Sequence, residues 1–346
     1  MSNDPDHPSA QSPSPPGPEL FQVLALDGGG AKALFTAHVL ASLEADLGVR
    51  IADHFDLIAG TSAGGILALG LGAGLTPAEI VEQYTDRVEQ VFPRSRRAPW
   101  RFGSHAIGPA YSSSVLREAL TEVFGAQLLG QSTKRLIIPS WDVQRAEVRI
   151  FKTPHHPRLC RDGRISMVDV AMATTAAPTF FEAAHVDGRR LVDGGVWANN
   201  PSVVAVGEAV SMLDVSLEAI RVLNVGTVDQ RAKHAEHLDT GGWINWAKPA
   251  ANFMVTAATR GAQGTAAHLV GKDDFVRFDA LVPGNVFTLD RASPKSLAGL
   301  AAGQSRLLSP LFTERFAAHT ATRYIPNPLP GTDDEPGTPT TPGGAS

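Results

Sequence analysis

Cysteine is almost missing from this chain of 346 residues. Cys160 is the only one, so no disulfide can form within the chain, and a reducing, cytoplasmic setting is expected. It stands in a loop-like stretch, His156 to Gly163, with no nucleophile signature around it. Long hydrophobic runs are missing too. The longest, Ile66 to Leu75, is about half of what a membrane-spanning helix needs and carries three glycines, so any membrane contact is expected to be peripheral. Residues 1–20 hold six prolines and lack the basic and apolar regions of a signal peptide. Basic charge is not in excess: 30 Lys and Arg against 35 Asp and Glu give a net charge of −5, which argues against duplex nucleic acid as a partner. No G-K-[ST] follows a glycine loop, which removes Walker-type phosphate binding, and no internal repeat divides the chain.

What is present is a soluble globular composition, 43% apolar with a mean hydropathy of −0.04, in a chain long enough for a large core. Residues 1–20 and 326–346, rich in Pro, Gly, Ser and Thr, read as disordered tails. Between them, apolar strand-like runs alternate with helical patterns. Phe21–Leu26, Phe55–Ala59, Leu136–Pro139, Val148–Phe151 and Arg221–Gly226 read as strands, and Asp187-Gly188 as a hairpin turn. Helices are expected over 33–47, 77–91, 114–124, 167–175 and from Asn200-Pro201 to Val210, and the remainder, Trp243–Leu269 and Pro294–Thr322, reads as mainly helical. The alternation predicts an α/β fold with a mostly parallel sheet and helices on both faces.

Three stretches carry chemistry. Gly60-Thr-Ser62-Ala-Gly64 ends a strand and opens a helix, the setting in which a G-x-S-x-G serine becomes a nucleophile. Gly28, Gly29 and Gly30 end another strand before a helix, where backbone N–H groups can face an oxyanion. Asp193, followed by Gly194 and Gly195, is an acid at a strand end. Read by residues alone, alternatives stay open. A Ser…Asp…His triad could draw on His234, His237, His268 or His319. Gly28-Gly29-Gly30-Ala31-Lys32-Ala33 also satisfies a dinucleotide fingerprint, although Asp27 beside it would repel pyrophosphate. A binding module with a silent serine is the third possibility.

Taken in order, Asp27-Gly-Gly-Gly-Ala-Lys32, Gly60-Thr-Ser-Ala-Gly-Gly65 and Asp193-Gly-Gly195 resemble the patatin-like phospholipase family. Ala176–Phe181 before the hairpin and Val196–Pro201 after the aspartate follow its pattern as well. The resemblance implies a three-layer α/β/α fold, with a catalytic domain over 21–226 and a helical extension over 227–325 packed on it. It implies hydrolysis of membrane phospholipid acyl esters by a Ser62–Asp193 dyad, without metal or cofactor. Gly28, Gly29 and Gly30 would form the oxyanion hole, and Asp27, Lys32, Gly60, Gly64, Gly194 and Gly195 would support the motifs. Ala33 stands where the family usually has glycine.

Asp53–Gly60, Leu75–Ile80 and Gly241–Trp246 further resemble bacterial patatin-like effectors of anti-phage signalling, which are activated by cyclic dinucleotides and degrade the membrane of their own cell. That likeness implies a cyclic dinucleotide activator and action at the inner membrane, and is compatible with a homo-oligomer. The loop with Arg94, Arg96, Arg97, Trp100 and Arg101 has the chemistry to contact phosphates or anionic headgroups.

Overall fold

The computed structural model describes residues 19–93, 108–230, 240, 242, 250–282, 290 and 293–328. Its centre is a sheet ordered β5-β6-β3-β2-β1-β7-β8, with β4 paired to β3. The strands are β1 (Phe21–Leu26), β2 (Leu57–Gly60), β3 (Arg135–Asp142), β4 (Glu147–Lys152), β5 (Ala184–Val186), β6 (Arg189–Asp193), β7 (Ile220–Gln230) and β8 (Phe275–Val282). β3, β2, β1, β7 and β8 run parallel, while β4, β6 and β5 form an antiparallel margin.

Alternation along the strands builds the layers. Leu24, Leu26, Ile58, Leu136, Ile138, Leu223 and Val225 point into one core, and Val23, Ala25, Leu57, Ala59, Ile137 and Val222 into a second. The first core is roofed by α1 (Ala33–Leu47), α2 (Ala63–Gly72), α3 (Pro77–Val91), α4 (Ser113–Phe124) and α5 (Met167–Thr175). The second packs Ala205, Val206 and Ala209 of α7 (Ser202–Leu213), which follows the single-turn α6 (Gly195–Ala198). Both sheet faces are thus covered, which explains the apolar runs Val23–Leu26 of β1 and Leu57–Ala59 of β2. This is the α/β architecture expected.

Local signals set the helix ends. Thr76 Oγ1 accepts from Glu79 N–H at 3.2 Å and Glu79 returns a bond to Thr76 N–H at 2.7 Å, a capping box that starts α3. α1 stops at Gly48, whose φ of 65° is left-handed.

After β7 come α8 (Ala250–Val270), β8 and α9 (Pro294–Arg315). The two helices fall in the stretches read as helical, and between them β8, which the sequence reading did not include, lies parallel to β7 and extends the central sheet. α9 lies against α1, and its Phe312 reaches Phe55 with ring centroids 6.3 Å apart. Among the described residues, no helix is long and apolar enough to cross a membrane.

Candidate active site

Ser62 sits between β2 and α2 with φ 55° and ψ −128°. A side-chain-bearing residue there is strained, typically by about 1–3 kcal/mol, and such strain is held only where surroundings enforce it. Two glycines explain how the turn closes. A Cβ on Gly60 would stand 2.3 Å from the Gly64 carbonyl oxygen, and one on Gly64 would stand 2.4 Å from the Leu26 carbonyl oxygen. The turn is therefore pressed against itself and against the end of β1. Ser62 N–H donates to Thr174 Oγ1 at 3.0 Å, and Thr174 Oγ1 donates to the Pro139 carbonyl at 2.6 Å. Thr61 Oγ1 donates to the Ala198 carbonyl at 2.6 Å.

Asp193 ends β6, opposite Ser140 of β3. The chain must leave the sheet at once, and Gly194 allows it: a Cβ there would lie 2.3 Å from the Pro139 carbonyl oxygen. The Ser62 hydroxyl donates to Asp193 Oδ2 at 2.6 Å, and Gly195 N–H donates to Oδ1 at 2.6 Å. Both side chains are buried. Burial raises the Asp193 carboxyl to about 6, against the pull of its bonds from Ser62 and Gly195. The group is thus a carboxylate at neutral pH, yet basic enough to exchange a proton.

The glycine loop lies beside this pair. A Cβ on Gly28 would stand 3.2 Å from Ser62 Cβ and 2.4 Å from Asn199 Oδ1, so only glycine brings the backbone this near the serine. Gly30 is left-handed, with φ 56°. The Tyr84 hydroxyl, kept neutral by its burial, donates to the Gly30 carbonyl at 2.7 Å. One expectation needs correcting. Gly28 N–H donates to the Asn199 carbonyl at 3.0 Å and is not free to act as an oxyanion donor. Among the described residues, the N–H groups of Gly29 and Gly30 have no such backbone acceptor.

Asp27 is buried beneath the loop, accepting from Arg277 Nη1 at 2.7 Å and Asn224 Nδ2 at 2.7 Å. Lys32 Nζ donates to the Val228 carbonyl at 3.2 Å. Ala33 opens α1 and is fully buried, so its methyl group is accommodated in the core. Arg94, Arg96, Arg97 and Arg101, like His234 and His237, lie outside the described residues. The histidine alternative gains nothing from the other two. His268 bonds the Gly264 carbonyl of its own helix at 2.8 Å. His319 pairs with Asp56 at 2.7 Å, before β2, whereas Ser62 follows that strand.

An apolar cavity, open to solvent, begins at Ser62 and runs between α2, α3 and α4. Ile66, Ile80, Val88, Leu120 and Phe181 are among its walls, and Gly30 stands at the serine end. Its shape and apolar lining suit a hydrocarbon chain whose polar end meets Ser62.

The three glycine-rich motifs of the sequence thus meet at one place, with a strained serine bonded to a buried aspartate beside an apolar cavity. The patatin-like phospholipase family model matches residues 24–206. The chain belongs to that family. Three bacterial relatives are each described as a cGAMP-activated phospholipase. That of Pseudomonas aeruginosa is 35% identical over 87% of this chain and 93% of its own length. Those of Escherichia coli and Vibrio cholerae are 33% and 32% identical, covering 85% and 88% of this chain and 90% and 96% of their own. As a patatin-like protein, the chain is a lipid acyl hydrolase in class.

Sequence reasoning missed Thr174, Tyr84, Asn224 and Arg277. Thr174 and Tyr84 are ordinary-looking positions on helices, and Asn224 and Arg277 stand mid-strand without a turn signature.

Proposed function

We propose that this chain is a phospholipase A-type serine hydrolase that cleaves fatty acyl esters of membrane glycerophospholipids through a Ser62–Asp193 dyad, and that cGAMP activates it. The 2.6 Å bond from the Ser62 hydroxyl to Asp193, at the mouth of the apolar cavity, carries the catalytic part of this reading. The relatives described as cGAMP-activated support the regulatory part.

In the first step Asp193 takes the Ser62 proton as Oγ attacks the ester carbonyl carbon. The carbonyl oxygen becomes an oxyanion, met by the N–H groups of Gly29 and Gly30 and the positive end of α2. The C–O bond to the glycerol oxygen then breaks, and protonated Asp193 returns the proton to that leaving oxygen. A lysophospholipid departs and Ser62 holds the acyl group as an ester. Water, deprotonated by Asp193, attacks this ester. A second oxyanion forms and collapses, and the fatty acid leaves as Ser62 recovers its proton. The acyl chain lies in the cavity throughout, and the substrate is drawn from a membrane surface that the protein contacts peripherally.

The test is fatty acid release from phosphatidylglycerol vesicles, with and without cGAMP, by the natural chain and by Ser62→Ala. Release that requires both Ser62 and cGAMP supports the reading. Release by Ser62→Ala overturns the dyad, and full release without cGAMP overturns the activation.

A further inference from the structure

The glycine loop that faces Ser62 is fastened by residues far outside the 24–206 stretch. β7 and β8 pair in register so that Asn224 stands beside Arg277. Both reach across to Asp27, the residue immediately before Gly28. Arg277 also bonds Asn224 Oδ1, and its Nη2 donates to Asp279 Oδ2 at 2.8 Å. Asn224 Oδ1 accepts a further bond from Asn200 Nδ2 at 2.9 Å, and the neighbouring Asn199 carbonyl is the acceptor of Gly28 N–H. Asp27, Asn200 and Asn224 are all buried, and Arg277 nearly so. Space for the guanidinium is provided by Gly226, where a Cβ would lie 2.8 Å from Arg277 Nη2.

Each of these contacts fixes where the backbone stands as it leaves β1. Oxyanion donors act only within hydrogen-bond distance of the developing charge, and a misplacement of about 1 Å can cost about a hundredfold in rate. A planar guanidinium holds two fixed directions at once, toward Asp27 and toward Asp279, whereas an ammonium group's donors rotate and radiate from one shorter point. We propose that Arg277 is a positioning residue: through Asp27 and Asn224 it sets the Gly29 and Gly30 donors, placing oxyanion geometry under the control of the C-terminal strand pair. The proposal rests on the dyad reading above.

The experiment compares Arg277→Lys and Asn224→Ser with the natural chain and with Arg221→Lys, all with cGAMP present, on a soluble fatty acyl ester. Arg221 pairs with Asp274 at 2.9 Å where the same two strands begin, three positions before Asn224 and Arg277, so it reports what loosening β7 and β8 does without touching the loop. Asn224→Ser removes the bridge while Asp27 and Arg277 can still pair, which protects against a variant that fails to fold. The expected result is a kcat lowered at least about tenfold in Arg277→Lys, and by less in Asn224→Ser, at nearly unchanged KM. Affinity for a trifluoromethyl ketone, whose adduct with serine carries the oxyanion, falls by the same factor as kcat. Arg221→Lys keeps both values. A folded Arg277→Lys or Asn224→Ser with natural kcat and ketone affinity overturns the positioning role, as does an equal loss in Arg221→Lys. Ser62→Ala is run alongside: its activity would overturn the dyad reading, whereas its inactivity beside an unaffected Arg277→Lys overturns only the positioning.

Discussion

The Ser62 hydroxyl donates directly to Asp193 Oδ2 at 2.6 Å, with no imidazole between them. A carboxylate of ordinary acidity would be a weak base toward a hydroxyl. Burial answers this by raising the Asp193 carboxyl to about 6, and the bond from Gly195 holds the second oxygen so that Oδ2 faces the serine.

Burying that carboxylate has a cost that can be measured. The folded state holds the Asp193 proton up to about pH 6, while the unfolded chain releases it near 3.8. Stability from this group therefore falls as pH rises from about 4 to about 6, and the full penalty, on the order of 3 kcal/mol, applies at pH 8. Asp193→Asn keeps an acceptor for Gly195 N–H and a polar contact to Ser62 but carries no charge. It is expected to be inactive and, at pH 8, more stable than the natural chain. Thermal unfolding at pH 8 and at pH 5 checks this, with the gap between the two proteins narrowing at pH 5.

The same group sets the pH profile. Proton transfer from Ser62 needs the carboxylate, so kcat/KM for a soluble ester should fall tenfold per pH unit below about 6. Rates measured over pH 4.5–8.5 in buffers of constant ionic strength show whether the lower limb lies there.

Gly64 is expected to tolerate no side chain. Its absent Cβ would meet the Leu26 and Asp27 carbonyl oxygens at 2.4 and 2.6 Å, and backbone cannot move aside as a flexible side chain does. Gly64→Ala should destabilise by about 1–3 kcal/mol, by the usual cost of overpacking, and should lose activity beyond its unfolded fraction. Urea unfolding and activity per folded molecule separate the two effects.

The cavity gives a prediction in substrate length. Ala119 of α4 lines it and is nearly buried, so Ala119→Trp places a ring within the space assigned to the acyl chain. Each methylene denied its pocket is worth about 1–3 kcal/mol, so discrimination against long chains should rise at least tenfold. A series of p-nitrophenyl esters from butanoate to palmitate measures it, the short esters remaining good substrates.

The parts legible in the sequence were those with local signals. Gly60, Ser62 and Gly64 announce a tight strand-to-helix turn, Asp187-Gly188 a hairpin, and Thr76-Pro77-Ala78-Glu79 a helix start. Each was found where expected, the hairpin turn with φ of 49° and 70°. β8 was not legible, since Phe275–Val282 mixes charged and apolar residues and becomes a strand only by pairing with β7. The partners of Asp27 were hidden for a related reason. Arg277 is 250 positions away, and nothing near it in the chain marks the contact. The state of Gly28 was illegible for another reason: three consecutive glycines look alike in sequence, and only the Asn199 carbonyl distinguishes the first.

The dyad is tested most directly by its reactivity. The natural chain, Ser62→Ala and Asp193→Asn are treated with a long-chain fluorophosphonate in the presence of cGAMP, and the adduct is located by intact and peptide mass spectrometry. The expected result is one adduct per natural chain, on Ser62, with none on either variant. An adduct on another residue, or labelling of Asp193→Asn at the natural rate, would contradict the Ser62–Asp193 dyad.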